Sequence, residues 1–315
     1  MERFGTAVIG TGFWGTNHAR VYQELEETEL RAVCDIKRER ARKVGRKFGA
    51  TPYQDVEKML EKEDIEGVSV CTWSTTLGEV SLKCLRAGKN VLVEKPMAKN
   101  SEQAEEMLET AEEKGLLLTV GFLMRFIPGI QHIKKQIEKK DIGNPVCITA
   151  KRVSQWPERI GDVGVVKDLA IHDIDITRYL FGEDPTAVYA KIGKMKHRKY
   201  EDYAQIMLTF EKSKNAFIEA NWLTPYKTRR LIVTGSEAIM KLDYITQELT
   251  REDAEQTLKP RLPWQEPLKL ELQRFANCIL ENEEPPIKGL DGFKALKVAE
   301  AALESSSIGE VIKLK

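Results

Sequence analysis

The sequence carries no excess of either charge. Across its 315 residues, 49 Lys and Arg stand against 49 Asp and Glu, a formal charge of zero. That excludes a nucleic-acid binder held by a general basic field, which needs a cationic surplus. Long hydrophobic runs are missing as well, and nothing approaches the ~20 apolar residues of a membrane span. Cysteine is sparse: Cys34, Cys71, Cys84, Cys147 and Cys278 are scattered, with no C-x-x-C pair. Neither a disulfide framework nor a zinc site is indicated, and a reducing, cytoplasmic setting is expected. Met1-Glu2-Arg3-Phe4 passes almost directly into strand-like sequence, which reads as the absence of a signal peptide. Histidine is scarce, only His18, His132, His172 and His197, so each deserves separate weight.

What is present suffices for a folded protein. The hydrophobic fraction of 42% can supply a core, and 31% charged residues do not push the chain into disorder. The length predicts two domains. Through residue 121, short apolar runs at 6–10, 30–35, 67–72, 90–94 and 116–121 alternate with amphipathic stretches, including 38–48, 78–87 and 101–114. That alternation predicts a doubly wound α/β domain, a parallel sheet covered on both faces. Ser101 reads as a helix cap and Gly115 as a stop. Beyond it the rhythm changes. Helices are expected at 129–140 and 168–180, strands at 145–153, 187–192, 203–210, 215–222, 229–235 and 239–244, then two late helices and a short strand. Strands without intervening helices predict an α+β domain with an open, mostly antiparallel sheet. The expected domains are 1–121 and 122–315, with the last helices free to pack back on the first.

Gly10-Thr11-Gly12-Phe13-Trp14-Gly15 matches G-x-G-x-x-G. Alone this is only a tight turn, but here it ends a predicted strand and opens a helix, where its geometry has meaning. Gly10 permits the turn, Gly12 admits a pyrophosphate, Gly15 lets helix and strand approach, and the helix N-terminus favours the anion. Asp35 closes the second strand, placed to accept from adenosine ribose hydroxyls and to repel a 2′-phosphate. NAD is therefore expected over NADP. Lys37 and Arg38 leave NADP open if Asp35 turns away; otherwise they are solvated helix-start charges.

The fourth strand ends at Glu94-Lys95-Pro96, on the carboxyl edge where doubly wound sheets bind ligands. Lys95 is a candidate for the cleft or simply a surface lysine. Asp168 and His172, at i and i+4, share a helix face, with Asp175 near it. They suit proton chemistry, a hydrogen-bonded core pair, or two ligands of a metal whose third ligand is not evident.

Taken together, these motifs resemble the glucose–fructose oxidoreductase / inositol dehydrogenase / rhizopine catabolism (Gfo/Idh/MocA) family. The likeness rests on Ala7-Val8-Ile9-Gly10-Thr11-Gly12, Glu94-Lys95-Pro96, Gly121 with Arg125-Phe126, and Gly164 through Asp168-x-x-x-His172-Asp173. It implies a Rossmann domain followed by an α/β domain whose open sheet mediates a homodimer or homotetramer. It also implies NAD(P)-dependent oxidation or reduction of a sugar or cyclitol hydroxyl carbon, with Lys95, Asp168 and His172 at the catalytic positions. Thr72, Trp73, Glu94 and Lys95 join the glycine turn as cofactor candidates. His172, with an ordinary pKa of about 6.5, suits the base. Asp168 would orient it or bind a hydroxyl, and Lys95 would stabilise charge on the reacting oxygen or act as the base itself. Trp73 and Leu77 replace the family's usual Pro and His after the third strand, and Phe122 and Ile127 its His and Asn near the hinge.

For the substrate side the candidates are Arg125, Arg152, Trp156, Arg159 and Tyr226, beside Lys95, Asp168 and His172. Polar–aromatic stretches around Trp156 and Tyr226 suit sugar faces, and arginine suits a pyrophosphate, though both also read as edge-strand surface. With Asn17-His18-Ala19-Arg20 and Asp162-Val163-Gly164 they resemble the subgroup oxidising the 3-hydroxyl of UDP-N-acetylglucosamine. Inositol, a free sugar, or an NAD-binding regulator without catalysis are the alternatives. The basic run 191–199 either steers an anionic substrate or is a solvated loop.

Overall fold

The computed structural model describes residues 3–156 and 161–314. The chain forms two compact units, one of Met1–Leu123 with Glu266–Phe293, the other of Met124–Gln265 with Lys294–Lys315. Where a boundary at 121–122 with late helices packing back was expected, the chain leaves the first unit after Leu123, returns at Glu266 and leaves it again after Phe293.

The first unit runs β1 (Phe4–Ile9), α1 (Phe13–Glu24), β2 (Thr28–Cys34), α2 (Arg38–Phe48), β3 (Thr51–Tyr53), α3 (Val56–Lys62), β4 (Gly67–Val70), α4 (Leu77–Arg86), β5 (Asn90–Val93), α5 (Ser101–Glu113) and β6 (Leu118–Val120). Its strands pair in parallel in the order β3-β2-β1-β4-β5-β6. The order reverses between β1 and β4, so ligands are expected at the carboxyl ends of those strands. Every residue of β1 and β4 is buried, the signature of a sheet covered on both faces. The short edge strand β3 and helix α3 escape the sequence pattern: Thr51-Pro52-Tyr53 has no apolar run, and Asp55 starts α3 by accepting from Lys58 N at 3.0 Å. Asn100, not Ser101, caps α5, accepting from Gln103 N at 3.1 Å.

In the second unit come α6 (Pro128–Glu138), β7 (Pro145–Gln155), a π-helical turn (Val166–Ala170) continuing into α7 (Ile171–Phe181), β8 (Ala187–Gly193), β9 (Tyr203–Thr209), β10 (Asn215–Asn221), β11 (Leu223–Gly235), β12 (Ile239–Asp243), β13 (Leu249–Glu252) and β14 (Thr257–Leu258). Then α8 (Pro267–Glu281) rejoins the first unit, and α9 (Gly289–Ile308) and β15 (Ile312–Lys313) follow. The sheet order is β14-β13-β12-β11-β7-β10-β9-β8-β15, parallel only between β7 and β10. Its central strands alternate: Ala216, Ile218 and Ala220 of β10 are buried while Phe217 is exposed. One face thus makes core and the other is left open. β13 and β14 are short and polar edge pieces, which is why periodicity does not show them.

The return of α8 has a packing cause. Leu268, Leu272 and Phe275 share a core cluster with Val21 and Tyr22 of α1 and with Leu25 just beyond its end. Each such side chain contributes roughly 1.5–3 kcal/mol on burial, so α1, which begins at the glycine turn, is backed by a second helix. All five cysteines are free, and burial, with a smaller effect from Asp35, pushes the Cys34 thiol up to about 12. Among the described residues no helix is long and apolar enough to cross a membrane.

Candidate active site

The glycine turn follows β1. Gly10 has φ of +88°, and a Cβ there would lie 2.5 Å from the Cys71 carbonyl oxygen. A Cβ on Gly15 would come within 1.7 Å of the Gly10 carbonyl oxygen, so α1 touches the turn backbone to backbone. At Gly12 the protein itself offers no obstacle, with nothing within 4 Å. The first two glycines are thus required by the fold, whereas the third leaves open the approach a pyrophosphate needs. Gly12 caps α1 without a side-chain bond, leaving the first-turn N–H groups for an anion. These residues fit a bound dinucleotide.

Asp35 is buried and folded into this turn. Its Oδ2 accepts from Thr11 N at 2.9 Å and Thr11 Oγ1 at 3.0 Å, and its Oδ1 accepts from Lys37 N at 2.8 Å. A carboxylate has about four lone-pair sites, so capacity remains for a ribose hydroxyl. Asp35 is not turned away, the condition under which Lys37 and Arg38 would favour NADP. The exposed Arg38 instead helps line an open cleft of about 420 Å³ with Arg42, Tyr53, Gln54 and Lys58. Phe13 and Trp14 meet edge to face at 5.5 Å, and Phe13 is 67% exposed. Beyond β4, Thr72 and Trp73 form a turn closed by Thr76 Oγ1, 3.1 Å from Thr72 Oγ1 and 3.0 Å from Trp73 O.

Lys95 follows β5 and is half-buried. Its neighbour Glu94, expected at the cofactor, is buried at the strand end. There Glu94 Oε1 lies 3.3 Å from His18 Nε2, and Oε2 accepts from Lys95 N at 3.2 Å. A buried carboxylate needs such partners, since an unpaired one costs several kcal/mol.

In the second unit, Asp168 and His172 are both buried. Asp168 lies within the π-helical turn and His172 in the first turn of α7. A regular α-helix over 168–180 was expected. The wider π turn changes how the i and i+4 side chains project, and such turns recur at functional sites. Around them α7 is held by two buried ion pairs. Arg152 of β7 donates to Asp173 through Nε (2.9 Å) and Nη2 (2.8 Å), and Arg125 donates to Asp175 through Nε (2.9 Å) and Nη2 (2.5 Å). Burial pushes the Arg152 guanidinium down, but Asp173 more than reverses this and holds it above its ordinary range. Arg152 and Arg125, expected on the substrate side, thus turn Nε and Nη2 toward α7, while Nη1 of Arg152 makes no hydrogen bond. Nothing but a polar residue on a buried helix face could have signalled this.

Trp156 is stacked on His197 at 4.4 Å and meets Trp222 edge to face at 4.5 Å, so its rings are engaged within the protein. Tyr226 on β11 is 80% exposed. Arg159 lies outside the described residues. The basic run is not a loose loop. Buried Asp202 accepts from the backbone N–H groups of Met195, Lys196 and His197 at 2.9, 2.7 and 2.8 Å. His197 Nδ1 in turn accepts from Tyr200 N at 2.8 Å. Neighbouring Glu201 ties this segment to the π turn, its carbonyl accepting from Val165 N at 3.0 Å and its Oε1 from Val166 N at 3.3 Å. Among the described residues no group of three His, Cys, Asp or Glu could hold a metal ion.

Residues 4–122 match the model of an oxidoreductase family with an NAD-binding Rossmann fold, and residues 130–241 match the GFO/IDH/MocA C-terminal domain. The chain is 27% identical to myo-inositol 2-dehydrogenase from Thermotoga maritima, over 98% of each chain. It is 26% identical to UDP-N-acetylglucosamine 3-dehydrogenase from Acidithiobacillus ferrooxidans, over 95% of this chain and 96% of that one. The solved structure of the latter superposes with a TM-score of 0.89 over 98% of this chain and 99% of the other.

Proposed function

Since this chain belongs to the GFO/IDH/MocA family of NAD-binding oxidoreductases, we propose that its NAD(P)-dependent dehydrogenase activity is directed at a sugar nucleotide, oxidising the 3-hydroxyl of a UDP-N-acetyl sugar such as UDP-N-acetylglucosamine. The observation that carries the substrate class is the held basic segment. Lys194, Lys196, Arg198 and Lys199 are exposed on a backbone pinned by Asp202 and joined through Glu201 to the turn bearing Asp168. A pinned cluster of cations recognises an anion at lower entropic cost than a mobile one, and a diphosphate is the anion a sugar nucleotide presents. Sequence similarity to the UDP-N-acetylglucosamine enzyme supports the reading, while similarity to the inositol enzyme defines its rival.

The dinucleotide is held by Gly10, Gly12, Gly15, Thr11 and Asp35, with Phe13, Trp14, Thr72 and Trp73 at its rim; when bound, it supplies the hydride acceptor. The remaining work is done by side chains. Oxidising a secondary alcohol requires the hydroxyl proton to leave while negative charge on the oxygen is stabilised. Lys95 donates a hydrogen bond to that oxygen, His172 accepts the proton, and Asp168 sets the orientation of His172 or receives a neighbouring hydroxyl.

Initial rates of NAD reduction with UDP-N-acetylglucosamine, myo-inositol and glucose test the substrate class. The expected result is turnover of the sugar nucleotide, with the Lys194→Glu/Lys196→Glu variant raising its KM about tenfold, as loss of roughly 1.4 kcal/mol of charge-assisted contact gives. Turnover of inositol alone would exclude a sugar-nucleotide substrate.

A further inference from the structure

Beneath Lys95 lies a chain of buried polar groups to which no role has been assigned. His18 is fully buried on α1, three residues after Gly15. Its Nδ1 is 3.0 Å from Ser69 Oγ on β4, and its Nε2 is 3.3 Å from Glu94 Oε1. Ser69 Oγ is in turn 2.7 Å from the Tyr22 hydroxyl. Beyond His18, Glu94 Oε2 accepts the Lys95 N–H at 3.2 Å. Gly121 lies on the opposite side: a Cβ there would come within 3.2 Å of the Glu94 carboxylate, so the glycine leaves the carboxylate the space it occupies.

One set of directions satisfies all of these hydrogen bonds. Tyr22 O–H donates to Ser69, Ser69 O–H donates to His18 Nδ1, and His18 Nε2–H donates to Glu94, which then accepts from Lys95 N. Every member is satisfied, and Tyr22 and Ser69 at the far end are fully buried, so the chain gives protons no exit to solvent. Its output is mechanical. It links the helix that begins at the dinucleotide turn to the strand end that carries Lys95.

We propose that His18 is a positioning residue for Lys95, holding the Glu94 carboxylate against the Lys95 backbone so that the position of Lys95 is tied to the α1 end of the cofactor cradle. This rests on the reading that Lys95 acts on the reacting oxygen. Without His18, the buried carboxylate of Glu94 loses its imidazole partner and is no longer held against the Lys95 N–H. Misplacement of a reacting group by about 1 Å can cost on the order of a hundredfold in rate.

The test is a set of variants assayed for kcat, KM and NAD affinity by fluorescence titration. His18→Leu is expected to lower kcat by about ten- to hundredfold while NAD affinity stays within about twofold of the parent. His18→Gln, whose amide N–H can replace the Nε2 donor, is expected to recover most of that loss. In the Lys95→Met background, His18→Leu should cost nothing further. An unchanged kcat in His18→Leu, or a full additional loss on top of Lys95→Met, overturns the inference while leaving Lys95 catalytic. Near-parent turnover of Lys95→Met alone overturns the reading of Lys95 and the inference with it. If His18→Leu does not fold, Ser69→Ala replaces it, removing the Nδ1 partner with a smaller expected fall in kcat; an unchanged kcat there counts against the proposal.

Discussion

The two units hold their functional groups by opposite means. In the first, the cradle is made of backbone and absent side chains: Gly10 and Gly15 are glycine because the polypeptide itself fills the space a Cβ would need. In the second, α7 is set by charge, with Arg152 and Arg125 buried against Asp173 and Asp175. A backbone constraint of this kind tolerates no substitution. A buried ion pair acts over distance in sequence and is replaceable in principle by apolar groups of matching shape.

Gly15→Val should show the first constraint at its strongest. A Cβ 1.7 Å from a carbonyl oxygen has no place to go, so either soluble protein is lost or NAD binding falls by more than about a hundredfold, as a barrier of several kcal/mol implies. Calorimetric titration with NAD reads it; near-parent affinity would mean the turn is more pliable than its geometry indicates.

Arg152→Ala should lower the stability of the second unit by about 3–5 kcal/mol, the penalty for stranding a buried carboxylate. Pairing Arg152→Met with Asp173→Leu should return most of that loss in urea unfolding while kcat remains reduced, since α7 would be packed but not oriented. Full recovery of kcat in the double variant would show that the ion pair contributes packing alone.

The smallest effect concerns pH. Burial pushes the Asp202 carboxyl up, but the N–H groups of His197, Lys196 and Met195 outweigh it and hold it below its ordinary value. A lowered folded pKa means the contribution is fully present above the unfolded value of about 3.9 and is lost as pH falls through the folded one. Protease susceptibility of the 194–202 segment should therefore rise on acidification below about pH 4. Asp202→Asn should abolish that dependence and leave the segment equally susceptible at neutral pH; an unchanged profile in the variant would assign the acid sensitivity elsewhere.

Much of the first unit was legible in the sequence because its rules are local. Gly10, Gly12, Gly15 and Asp35 can be read at a fixed spacing, although Gly10 answers to the Cys71 carbonyl beyond β4 and Asp35 to Thr11 across β2. The edge strand Thr51–Tyr53 was not legible, having neither an apolar run nor alternation. In the second unit, alternation announced the central strands, but the residues expected at the substrate were read by type rather than by direction. An arginine on a strand can face solvent or a buried aspartate, and nothing near Arg152 in sequence names Asp173 as its partner. Nor does anything near Trp156 in sequence name His197, on which it stacks. His18 was visible as a scarce residue on a buried helix face, but its link to Glu94 spans 76 positions.

By itself, then, the sequence determined the class of each unit and the dinucleotide turn, because period and glycine spacing can be read along the chain. Only the tertiary structure decided that the chain returns through α8, that Glu94 turns inward, that Asp168 sits in a π-helical turn, and that two arginines serve α7. Those outcomes depend on which distant groups share a buried space, where an unpaired charge is too costly to remain.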